Sequence, residues 1–215
     1  MRLRAITPIV VSEDELARRQ ARYSEMCPQG VTIHLDNLPS GPDRLESEVQ
    51  IRASERLVRD EALRTDSERF DGIFLDCVLD PALEDLQESS ALPVFGITRL
   101  VSGYFGAAGL RMAAVARNQP IADELAARIE AGGWSDLLDG VAVLDLSLED
   151  IAEPARWNEA VGGALIDAGL DADVVINGCS AVEVRSSNGP TVVDPTALAL
   201  RLIGAGVDLF EGRSK

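Results

Sequence analysis

Residues 70–83 read FDGIFLDCVLDPAL. Glycine and then apolar residues follow one another without alternation, the pattern of a strand covered on both faces rather than one. Such strands belong to parallel sheets packed between layers of helix. The strand is read here as residues 71–79, and Asp80-Pro81 punctuates the start of a turn. A cysteine, one of only three in the chain, stands where strand and turn meet.

Outward from this stretch, strands and helices alternate. LRAITPIVV (3–11) is a β-branched apolar run, and Ser12 and Glu15 after it have capping-box spacing ahead of a polar-faced helix. VTIHLDNL (31–38) is a second strand. After the turn PSGP (39–42), residues 44–69 have helical composition. PALEDLQESS leads to a further strand, LPVFGI (92–97).

The second half repeats the scheme. Residues 98–109 form a Gly/Ala-rich apolar helix. LRMAAVARN is a strand, and QPIADELAARIEAGG a helix with Pro120 near its start, a favoured position. GVAVLDLS is a strand, residues 148–168 a helix, ADVVINGCS a strand, and PTVVDPTALALRLIGAG a last strand and helix. SSNGP (186–190) reads as a turn. FDGIFLDCVLD in one half is echoed by DADVVINGCSA in the other, about half the chain later. Ligands of open α/β sheets bind beyond the carboxyl ends of the strands, where both thiols fall. The expected fold is α/β with two pseudo-symmetric lobes, each a mostly parallel sheet flanked by helices, and the active site in the cleft between them. Residues 1–97 plus 191–215 form the first lobe and 98–190 the second.

Composition narrows the chemistry. The 215 residues carry a formal net charge of −16, a field that repels nucleic-acid backbones and anionic membranes. The start, MRLRAITPIVVSEDE, lacks the features of a secretory signal, and no apolar run reaches the length of a membrane span. Three scattered cysteines are no disulfide framework, which places the chain in a reducing cytoplasm. The single histidine, His34, lies in a strand; it is read as a hydrogen-bonded strand residue, and a Ser-His-Asp triad or a Cys/His zinc site lacks the residues it needs.

Two cysteines suit a different reaction, in which a proton leaves one face of a carbon acid and another arrives on the opposite face. One sulfur is then a thiolate base and the other a thiol acid, set near neutrality by helix N-termini or turns of backbone N–H groups. Backbone amides after each cysteine would support the carbanion, and no cofactor is required. Taken singly, either cysteine reads as a small core residue; the pair at matching strand ends, one per half, is what sets the catalytic reading level with that one. A Cys77–Cys179 disulfide or a partial metal site is a further alternative. Cys27, at a helix end, is read as structural. Asp76 and Asp80 flank Cys77, to tune it or to cap a helix.

DCVLDPAL followed by PVFGI, and INGCSA followed by PTVVDPTALALRL, resemble the Asp/Glu/hydantoin racemase superfamily, specifically its hydantoin racemase-like branch. LPSGPDRLESEVQ is similar to that branch's Gly-Pro-x-x-x-Glu-Ser stretch. The resemblance implies a cofactor-independent racemase or epimerase of an amino acid or a hydantoin-like derivative, working by two-cysteine 1,1-proton transfer. It makes Cys77 and Cys179 the bases, and the backbone at Val78, Ser180 and Ala181 the holder of a substrate carboxylate or ring carbonyl. It puts Thr7 and Pro8 against a small carboxylate or cyclic amide, and it implies self-association. The chain departs from the branch at Val78 and Leu79, where Phe-Gly is usual, at ITPIVVSED, where an Asn-rich segment is usual, and at SAV after the second cysteine. A cis–trans isomerase or decarboxylase of a small dicarboxylate, or a non-catalytic ligand-binding member, are the other readings of this scaffold.

Overall fold

The computed structural model describes residues 1–147, 150, 154–182 and 191–207. The chain divides into two compact units, one of residues 1–97 with the C-terminal stretch from Thr196, the other Thr98–Pro195. The first holds a four-stranded parallel sheet of β1 (Arg2–Ile6), β2 (Thr32–Asp36), β3 (Gly72–Leu75) and β4 (Val94–Phe95), in the order β2-β1-β3-β4. The second holds β5 (Met112–Ala116), β6 (Leu138–Val143), β7 (Val174–Asn177) and β8 (Thr191–Val193), in the order β6-β5-β7-β8, again parallel throughout. Each sheet therefore runs second, first, third, fourth strand. The echo seen in the sequence is a repeated topology.

The inner strands carry the continuous apolar pattern because both faces are covered: every residue of β3, β5 and β7 is buried. β2, an edge strand, alternates instead, with Thr32 and His34 outward and Ile33 and Leu35 inward. Helices α1 (Glu13–Met26), α2 (Glu48–Ala62), α3 (Leu83–Ser89) and α7 (Pro195–Ala205) belong to the first unit; α4 (Ile97–Ala107), α5 (Gln119–Ala131) and α6 (Pro154–Ala168) to the second. Their starts are chemically marked. The Ser12 hydroxyl accepts from Glu15 N–H, Ser47 from Gln50 N–H, and Asn118 from Ile121 N–H, each satisfying an amide that the helix leaves unbonded.

One core gathers Ile6, Val58, Ile73, Leu75, Leu83 and Leu86; the other packs Ala113, Val115, Val161, Leu165 and Val175 around the fully buried Trp157. Among the described residues no helix is long and apolar enough to cross a membrane. Two expectations change. Residues 191–193, assigned above to the first lobe, pair with β7 and close the second sheet, so the division falls at Pro195/Thr196. The strand expected over 71–79 stops at Leu75, because the chain turns there to bring Cys77 off the sheet. The turn at Ser186–Pro190 lies outside the described residues, as does most of the start of the helix expected from 148.

Candidate active site

In the first unit the chain passes from β1 to its neighbour β2 and then crosses to β3 on the other side of β1. The residues just beyond β1 and β3 thus stand at the point where the winding reverses, the usual ligand position in such sheets. They include Thr7, directly after β1, and Cys77, two residues after β3. Asp76 N–H makes the last bond across the sheet, to Ile6 C=O at 3.2 Å, and Cys77 N–H then folds back on Leu75 C=O at 2.8 Å. That i-to-i+2 bond is the tight turn common at strand ends.

The turn continues through strained backbone. Asp80 N–H bonds Cys77 C=O at 3.1 Å, Leu83 N–H bonds Asp80 C=O at 3.1 Å, and both Asp80 (φ 44°) and Ala82 (φ 57°) are left-handed. Left-handed backbone costs a residue other than glycine about 1–2 kcal/mol, so the surroundings must hold it. They do. Glu55 of α2 accepts from Ala82 N–H at 3.2 Å and is itself paired to Arg52 at 3.0 Å. Gly96, the glycine of PVFGI, leaves room for the Asp80 carboxyl: a Cβ there would stand 2.6 Å from it. The N-cap residue of α3 is Ala82, whose side chain makes no capping bond.

Cys77 is 7% exposed, and Leu79 N–H points at its sulfur at 3.4 Å. Burial, reinforced by the Asp76 and Asp80 charges, pushes its thiol up to about 12, against the smaller opposing effects of the Leu79 amide and Arg19. The expectation of a thiol tuned near neutrality is corrected for this residue: at neutral pH Cys77 holds its proton. Asp76 is fully buried against Arg19 and Tyr23 of α1. Val78 and Leu79 are buried too, each 3% exposed.

The second unit repeats the placement. Cys77 lies two residues past the end of β3, and Cys179 two residues past the end of β7, each the third strand of its sheet. Gly178 N–H bonds Val115 C=O at 2.8 Å, as Asp76 does Ile6. Asn177 is fully buried, and its amide donates to Cys179 C=O at 2.9 Å and Val182 C=O at 3.2 Å, clamping the turn that carries Cys179, Ser180 and Ala181. Cys179 is half-buried and packs against the core around Trp157; Ser180 is buried. All three cysteines are free thiols. Cys27 is the C-cap residue of α1, its thiol pushed up by partial burial.

Thr7 and Pro8 have their polar atoms engaged within the unit. The Thr7 hydroxyl donates to Asn37 at 3.1 Å and accepts from Leu38 N–H at 3.2 Å, while Pro8 C=O accepts from the Ser54 hydroxyl. His34 sits on the outer side of β2, 3.2 Å from Asp36 and stacked on Phe70, beside a polar cavity of about 180 Å³ also lined by Arg4, Glu61 and Arg64. Arg4 is paired there to Asp36 and Glu61, both at 2.6 Å. Among the described residues no group of His, Cys, Asp and Glu is placed to hold a metal ion.

The site residues missed from sequence are Arg19, Tyr23, Asn37 and Asn177. The first two carried a legible signal: polar side chains four apart on a helix share one face, and here that face is the buried one. The difference between the thiols gives an expected result. Under iodoacetamide at pH 8, Cys179 should be alkylated at least about tenfold faster than Cys77, read by peptide mass spectrometry, because only thiolates react and Cys77 is both covered and protonated. Equal rates would contradict this burial.

The model of the Asp/Glu/hydantoin racemase family matches residues 12–203. No curated protein matches the sequence. Among solved structures, the allantoin racemase of Pseudomonas fluorescens is 20% identical with a TM-score of 0.84, over 97% of this chain and 92% of that one. The allantoin racemase of Klebsiella pneumoniae is 17% identical, TM-score 0.78, over 97% and 88%. An arylmalonate decarboxylase is 18% identical, TM-score 0.64, over 100% and 95%.

Proposed function

We propose, from the premise that the chain belongs to the Asp/Glu/hydantoin racemase family, that it is a racemase or epimerase of an amino acid or a hydantoin-like derivative, working without a cofactor through Cys77 and Cys179. One observation carries the reading. Two sheets of the same strand order each present a cysteine two residues past the carboxyl end of the third strand.

In this reading each thiol serves one face of the stereocentre. The Cys179 thiolate takes the proton from its face, leaving a carbanion conjugated with the adjacent carbonyl. Cys77, resting as the thiol, delivers a proton to the other face. One S–H bond forms and one breaks, so the pair ends with its protonation inverted and the net charge unchanged. The reverse reaction exchanges the roles. Backbone amides of the turns at Val78 and at Ser180 and Ala181 face the developing negative charge on a carboxylate or ring carbonyl, with Thr7 and Pro8 shaping the wall beyond β1.

Allantoin is itself a hydantoin, and the likeness to allantoin racemases favours 5-substituted hydantoins as the first compounds to test. In deuterated buffer, the wild type should place deuterium at the stereocentre of one class among hydantoins, free amino acids and short dicarboxylates, while its optical rotation decays to zero. The decarboxylase reading, which the arylmalonate decarboxylase likeness favours, needs only one cysteine. It would show as release of carbon dioxide from a malonate, with one solvent deuterium in place of the lost carboxyl and no exchange of hydrogens already on carbon. No exchange in any class would overturn the racemase reading.

A further inference from the structure

Beneath Cys77 lies a buried cluster that proton transfer does not itself use. Arg19 and Tyr23 occupy one inward face of α1 and are 5% and 2% exposed. Both reach Asp76, whose side chain is fully covered. The Tyr23 hydroxyl donates to Asp76 Oδ1, and Arg19 Nη2 lies 3.1 Å from Oδ2 and 3.4 Å from Oδ1. The Tyr23 ring stands edge-on to Phe74 of β3, at 6.0 Å, fixing the hydroxyl against the strand end. A buried ion pair is a poor source of stability, since stripping water from both charges offsets their attraction. This one includes Asp76, the residue before Cys77, at the last hydrogen bond of the sheet.

We propose that Arg19 and Tyr23 are positioning residues for Cys77: they anchor Asp76 at the strand end, and the balance of charge between Arg19 and Asp76 sets how readily the neighbouring thiol gives up its proton. The inference rests on Cys77 being one of the two bases, but its test does not require turnover. The groups that bear on the sulfur are Asp76 and Asp80 of its own turn and Arg19 of α1; Glu55 of α2 meets the far end of the turn at Ala82 and is paired there to Arg52. Tyr23, buried beside a carboxylate, is held as the neutral phenol and acts as a donor. The two acids hold the proton on the sulfur, and Arg19 opposes them.

The two halves of the ion pair should therefore move the thiol in opposite directions. With the full chain, the alkylation rate of the Cys77 peptide is followed by mass spectrometry between pH 7 and 10, with circular dichroism to confirm the fold. Asp76→Asn, which removes one of the two acids and keeps the Arg19 charge, should alkylate Cys77 about tenfold faster, the equivalent of one pKa unit. Arg19→Gln should alkylate it about tenfold slower, and Arg19→Lys should return the rate to near wild type. Tyr23→Phe removes one donor from the carboxylate at almost constant volume and should also slow the reaction, so it supplies the slow arm if Arg19→Gln does not fold. A turn merely loosened by mutation would speed alkylation in every variant. If Asp76→Asn and the slow-arm variant move together, or neither moves, the proposal is overturned. A wild type that exchanges no substrate hydrogen would sink the racemase reading and leave these rates to be decided on their own.

Discussion

Cys77→Ser and Cys179→Ser should each lower racemisation by about 10³-fold or more, yet each should still exchange the hydrogen of one enantiomer, and not the same one. A serine hydroxyl is too weak an acid and base to replace a thiol, and loss of a positioned acid–base group typically costs 10²- to 10⁴-fold. The surviving thiol can still take a proton from its own face, trade it with solvent, and return deuterium to that face. Inversion is lost; exchange with retention remains. The two survivors are unequal. In Cys179→Ser the only base is Cys77, pushed up to about 12 by burial and the Asp76 and Asp80 charges. Near pH 7.5 that sulfur is ionised on the order of once in 10⁴ molecules or fewer, and its exchange rate should climb about tenfold per pH unit through pH 10. NMR of deuterium incorporation into each pure enantiomer reads both effects. Exchange of the same enantiomer in both variants, or of both enantiomers in either, would show that the thiols do not divide the two faces between them.

Why was the pair visible in the sequence when its environment was not? Strand pattern and strand-end chemistry are local, and both cysteines followed continuous apolar runs that had to be inner strands. The repeated topology was readable for the same reason. What the sequence could not show depended on partners far along the chain. From the sequence Asp76 reads as a tuning or a capping group, because its partners Arg19 and Tyr23 are more than fifty residues away. The thiol of Cys77 looked adjustable because burial, which dominates its acidity, is a property of the packed turn and not of the residues DCVLD.

The strand boundary failed for a similar reason. Cys77, Val78 and Leu79 are as apolar as the strand before them, and only the bond from Cys77 N–H back to Leu75 C=O ends the extended run. Three strand residues before a helix read the same whichever sheet they join, and the pairing of Val192 with Val175 puts β8 in the second sheet instead of the expected first lobe. The glycines of the two motifs gain a physical meaning only from the fold. Gly96 makes space for the Asp80 carboxyl, and Gly178 makes space for a neighbouring strand.

That second glycine carries the other large effect. Gly178→Ala should remove racemisation together with about 3 kcal/mol of stability, the upper range for overfilling a packed interior. A Cβ at residue 178 would lie 2.0 Å from Val115 C=O, 3.1 Å from the carbonyl carbon and 3.3 Å from Ala116 Cα. These are backbone atoms of the central strand β5, bonded on both sides to β6 and β7, so they cannot swing aside as a side chain would. The relief must come from Gly178, and it breaks the 2.8 Å bond to Val115 C=O that sets where the following residue stands. Cys179 is that residue. The clamp from Asn177 to Cys179 C=O and Val182 C=O would pull the displaced turn against its own strand, spreading the damage without restoring the position. Urea denaturation measures the stability loss, and deuterium exchange the activity. Cys77, in the other sheet's turn, should keep its wild-type alkylation rate in the folded variant. An alanine variant as stable and as active as the wild type would mean that the Cys179 turn is not held in place by its contact with β5.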